Sequence, residues 1–139
     1  SYDTTSENFR VSYLAHEGRH FSDYKEFPRL EQPELEYRAK LTELAVSNET
    51  TLTLVKAFSE QAGRDRAVPH SFADYCVIRD LSRTVFRSDE GVKNPATWNS
   101  VAPDRLRKEA LKLLQANDSR LHHMGAKDVS RFLEVSGSG

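Results

Sequence analysis

The chain has 139 residues, 37% apolar and 29% charged, with 20 basic against 21 acidic side chains and a net charge of -1. That length suits one domain with a real core rather than two, and the balanced, interspersed charge excludes a dedicated nucleic-acid surface, which needs a basic excess on one face. The single cysteine, Cys76, excludes an internal disulfide and any cysteine-built metal site; a bound metal must therefore use histidine and carboxylate, and the redox compartment stays open. No apolar run approaches the roughly 18 residues of a membrane span, and the start lacks the charged-then-apolar pattern of a signal peptide, so a soluble chain of unknown compartment is expected. A start on Ser1 reads as a fragment, a trimmed form or a processed form. The expected organisation is one helical domain over 1–135 and a flexible tail or linker scar over 136–139.

Residues 1–6 are polar, with Thr5 or Ser6 as an N-cap and Glu7 in the first turn. Phe9, Val11, Tyr13, Leu14 and Phe21 then give mixed but helix-compatible spacing to about Lys25. Gly18 inside that run costs about 1 kcal/mol against alanine, which points to close approach by another backbone or a substrate. Pro28 ends the helix. Pro33 sits where a first helical position belongs, followed by Glu34 and Glu36 in the favourable first turn. Leu35, Ala39, Leu41, Leu44 and Ala45 continue it, and residues 47–50 mark a kink or a break before Leu52, Leu54, Val55 and Phe58.

After Gly63 and a charged Arg64-Asp65-Arg66, Pro69 opens a further helix with Phe72, Tyr75, Cys76, Ile78, Leu81, Val85 and Phe86 on its apolar side. Residues 88–103 read as a loop with a short turn near Ala96 to Trp98. Pro103 starts a strong helix to about Ala116, with Leu106, Ala110, Leu113 and Leu114 inward, and two shorter segments at 119–124 and 127–135 meet at Gly125. No stretch alternates with period two. The predicted fold is an all-α bundle of five to six helices, with the active-site helix near the N-terminus.

That helix carries His16-Glu17-Gly18-Arg19-His20. At i and i+4 both imidazoles share one face and reach one ion, while Glu17, about 100° round from His16, is free to take a proton from a water activated there. Catalytic zinc wants a third protein ligand. Because a short connection turns the chain back, the first turns of the next helix can supply it: Glu36 is the choice, with Glu34 and Glu43 as alternatives. Glu43, two turns beyond Glu36, is better placed to hold a ligating imidazole from behind; Asp23, on the motif face, is placed the same way rather than as a ligand. His122, His123 and Met124 read as structural, because adjacent residues point in different directions.

The motif together with Glu36-Tyr37-Arg38-Ala39, a Glu-x-x-Ala pattern, resembles the gluzincin type of zincin metallopeptidase over roughly residues 8–45. The resemblance implies His16, His20 and Glu36 as ligands of Zn2+, Glu17 as general base, and a peptide or protein substrate. It also implies a group that stabilises the oxyanion. His70 and Tyr75 are the candidates, each with a plainer reading as a surface residue and a core aromatic. Gluzincins carry a β-sheet before the motif helix, whereas only 15 residues precede His16 here. The sheet then belongs to a missing N-terminal part or a partner chain, or this is a stripped-down helical version. Two other readings stand beside the hydrolase: a non-catalytic helical binding module with structural metal or none, and a manganese or iron site on the same trio.

Overall fold

The computed structural model describes residues 4–135; the expectations for residues 1–3 and 136–139 lie outside them. Six α-helices and one 3-10 helix follow in order: α1 (Thr4–Glu26), α2 (Gln32–Val46), α3 (Thr51–Gln61), α4 (Pro69–Val85), the single turn α5 (Glu90–Lys93), the 3-10 helix Pro95–Ser100, and α6 (Pro103–Met124). There is no β-strand among the described residues. The all-α expectation holds, as does the break between α2 and α3. No helix among the described residues is long and apolar enough to cross a membrane.

The bundle is arranged around α2, which packs against α1, α4, α6 and α3. Residues 33–41 of α2 are buried without interruption, charged side chains included. Burying a charge is costly unless it is paired, and each finds a partner: Glu34 takes Arg66, Arg38 takes Asp23 and Asp118, and Lys40 takes Asp74. Around these pairs Leu41, Leu44, Val55, Val77, Leu81, Trp98, Leu106 and Leu121 build a continuous apolar core.

Several boundaries differ from the sequence reading. Helix α1 begins at Thr4, ahead of the expected cap. Helix α6 does not stop near Ala116: Asn117 accepts a hydrogen bond from Arg38 and Leu121 is fully buried, so tertiary contacts carry it to Gly125, whose φ of 103° ends it. Residues 127–135 are not helical, because Phe132 and Leu133 give their backbone N–H groups to the buried Glu34 carboxylate rather than to a helical turn. The expected loop at 88–103 contains α5 and the 3-10 helix. There Trp98 is fully buried and donates to the Gly91 carbonyl at 3.0 Å.

The largest departure is in α1 itself. Its inner face is polar, with Ser12, His16, His20 and Asp23 turned towards α2, while Tyr13, Leu14, Phe21 and Tyr24 face solvent. Gly18 is not pressed by any other part of the chain: a Cβ added there would meet nothing within 4 Å.

Candidate metal centre

The short connection at 27–31 turns the chain so that the second turn of α2 lies against the inner face of α1. Glu36 thereby reaches both motif histidines. Its Oε1 is 3.1 Å from His16 Nε2 and its Oε2 is 2.9 Å from His20 Nε2, while the two Nε2 atoms stand 3.1 Å apart. Each imidazole is 11% exposed and Glu36 7%. Three ligand-type side chains are thus brought together, a group able to hold a metal ion.

Behind His16 sits Glu43. Its Oε2 accepts from Nδ1 at 2.6 Å and turns Nε2 towards the cluster, the usual relation of a carboxylate to a metal-bound imidazole. His20 has no such support: its Nδ1 is buried without a hydrogen-bond partner. The electrostatics are tightly coupled. Burial alone would lower His16, but Glu36 and Glu43 outweigh it and raise the ring to about 9. Burial likewise works to raise Glu36, and the His16 and His20 rings overcome it, holding that carboxyl well below its ordinary range. In the metal-free cluster His16 therefore carries a proton at neutral pH.

The other expected residues divide. Glu17 is exposed, about 100° from His16 and about 60° from His20 round the helix, on the solvent side of the cluster. His70, from the first turn of α4, places Nδ1 3.3 Å from Glu36 Oε1 with its side chain 69% exposed, so it flanks the open side. Tyr75 does not join it: five residues on, it lies about 140° round α4 and stacks beneath Arg64, 5.6 Å from ring centroid to guanidinium carbon. Asp23 does not stand behind an imidazole. Its two oxygens accept from Arg38 Nε at 2.9 Å and Nη2 at 3.1 Å, a buried pair that ties α1 to α2. Glu34 is excluded as a ligand by its bidentate bond to Arg66 and its two backbone donors. His122 is a surface residue beside Glu26 and Phe27.

Two features were missed. Tyr24, one turn after His20, stacks on that ring with centroids 6.1 Å apart and planes 17° from parallel, so it is the tyrosine beside the cluster. Lys40 and Asp74 form a buried ion pair at 3.0 Å, where burial raises Asp74 to about 6 against the pull of Lys40. Each lies four residues beyond a site residue, Glu36 and His70, so helix-face arithmetic applied to both helices would have placed the pair directly below that contact. No protein-family model matches this chain, and neither the curated proteins nor the solved structures contain a match to it.

Proposed function

We propose that the chain is a zinc-dependent hydrolase acting on peptide bonds. The observation that carries this is the convergence of His16, His20 and Glu36 beside an exposed Glu17. The donor set fits zinc, since two imidazoles and one carboxylate are a common catalytic ligand set. The Glu36 carboxylate reaches both rings, Oε1 towards His16 Nε2 and Oε2 towards His20 Nε2, so the three side chains would hold one ion between them. His20 turns Nε2 towards Glu36 and His16, and the Glu43 contact occupies Nδ1 of His16, so Nε2 is the atom each ring offers to an ion.

Zinc bound there supplies Lewis acidity and makes water a competent nucleophile near neutral pH. The chain supplies the rest. His16, His20 and Glu36 hold the ion, and Glu43 fixes the tautomer and orientation of His16. Glu17 takes the proton of the attacking water and returns it to the leaving amine. His70, exposed at the open side, donates a hydrogen bond to the carbonyl oxygen as negative charge develops on it.

Elemental analysis of the purified protein with and without His16→Ala is the first test. One zinc per chain, lost in the variant, is expected; a stoichiometry near zero in the unaltered protein overturns the metal and the mechanism together. Glu17→Gln then separates binding from chemistry. It should keep its zinc and lose turnover of a casein-derived peptide mixture, and full activity in that variant would exclude Glu17 as the base.

A further inference from the structure

The fully buried Glu34 carboxylate organises the start of α2. It takes Arg66 through two N–H groups and accepts the backbone N–H groups of Phe132 and Leu133, while the backbone N–H of Glu31 donates to the Ser130 carbonyl. Segment 129–135 is thereby drawn over the beginning of the helix. Between that segment and the last turn of α6 lies a cavity of about 260 Å3, with Arg66, Arg120, Met124, Arg131, Phe132 and Glu134 in its walls. The guanidinium is the side-chain group best matched to carboxylate and phosphate, because its planar fork meets two oxygens at once. We propose that this cavity binds a small oxyanion, carboxylate or phosphate, carried on an apolar body. The site is independent of the hydrolase reading: Glu36 lies about 200° round α2 from Glu34, so the metal centre and the cavity are on opposite sides of that helix.

The acids nearby fix the arginines without using them up. Glu34 and Glu31 engage Arg66 through Nη1 and Nη2, and Glu31 also accepts from Arg131 Nε at 2.8 Å. Arg66 Nε and both terminal nitrogens of Arg131 have no partner among the described residues. Arg120 has no carboxylate at all; its one hydrogen bond is a long one, 3.4 Å from Nη1 to the Phe132 carbonyl. Donors held in place in this way cost less to gather round a ligand than free side chains do. The remaining wall is apolar: the Phe132 ring, 6% exposed, and Met124, 45% exposed, suit an apolar body behind the headgroup. A cavity just below the roughly 300–1,000 Å3 of drug-sized sites restricts the ligand to a small one. Glu134 lines the same cavity with no ion-pair partner among the described residues, and its charge works against an anion.

The test is calorimetric titration at low salt with three probes that share a phenyl ring: benzoate, phenyl phosphate and the neutral benzamide. The anions should bind about tenfold tighter than benzamide or better, the worth of one charge-assisted hydrogen bond, and the tighter of the two names the headgroup. Arg120 is exposed and makes one long bond, so Arg120→Gln should leave the melting temperature unchanged. It should nevertheless weaken the anions by about tenfold, whereas Glu134→Gln should tighten them. Zinc content, read on every sample, should be the same in both variants. Equal affinity for all three probes would overturn the site. So would anion binding that Arg120→Gln leaves unmoved, which would mark an anion held at the metal centre or an adventitious ion only.

Discussion

His16 is gripped from both sides, by Glu43 at Nδ1 and Glu36 at Nε2. Removing the outer grip leaves the three ligands in place but lets the ring turn, so Glu43→Ala should weaken zinc 10–100-fold, the usual effect of losing such a partner. Glu43→Gln, whose amide oxygen still accepts from Nδ1, should lose less. Competition against a chromophoric chelator reads both. The same contacts set a pH dependence. With His16 raised from 6.5 to about 9 in the metal-free protein, its proton stabilises the fold fully below pH 6.5, and that stabilisation, about 3 kcal/mol, is lost as pH rises through 9. Zinc needs the ring unprotonated, so its affinity should climb about tenfold per pH unit between 7 and 8. Calorimetry in two buffers of different ionisation enthalpy should find about one proton released per zinc at pH 7.5. No release would mean that His16 is already neutral and that the carboxylates do not hold its proton.

At the scale of the helix, α1 explains why the site was legible and its surroundings were not. The five-residue motif places two imidazoles on one face by geometry alone, and the turn at Pro28 brings Glu36 opposite. The remainder of α1 inverts the usual expectation that apolar residues point inward: its polar face is buried because it carries the cluster and the Asp23–Arg38 pair, and its apolar face is outside. Periodicity reports that a helix is amphipathic, not which face is covered. The two helical glycines make the contrast measurable. Gly18→Ala should stabilise by about 1 kcal/mol, since alanine is the better helix former and meets nothing. Gly91→Ala should destabilise by about 1–3 kcal/mol, because its methyl group overlaps the buried Trp98 indole and forces repacking. Urea denaturation of the two variants should give shifts of opposite sign.

At the scale of the molecule, a central helix that buries charge on several faces depends on its partners' being complete. The helices of the bundle could be read from spacing and punctuation, but not these pairings, because Arg38 meets Asp23 across 15 residues and Asn117 and Asp118 across about 80. The Arg38 guanidinium, fully buried, binds α1 through Asp23 and α6 through Asn117 and Asp118, and stacks on Phe27 with its central carbon 4.8 Å from the ring centroid. Arg38→Leu therefore leaves the buried Asp23 carboxylate with only the longer Arg19 contact, at 3.7 Å, in place of its two-pronged partner, which should cost about 3 kcal/mol, the low end for a broken buried pair. Replacing both partners removes the stranded charge as well as the pair. Arg38→Leu/Asp23→Leu should accordingly be more stable than Arg38→Leu alone, although it has lost one more native side chain, while Asp118, at 39% exposure, is rehydrated. Urea unfolding of the single and double variants measures that sign. A double variant less stable than Arg38→Leu would show that Asp23 holds α1 in place through contacts other than the ion pair.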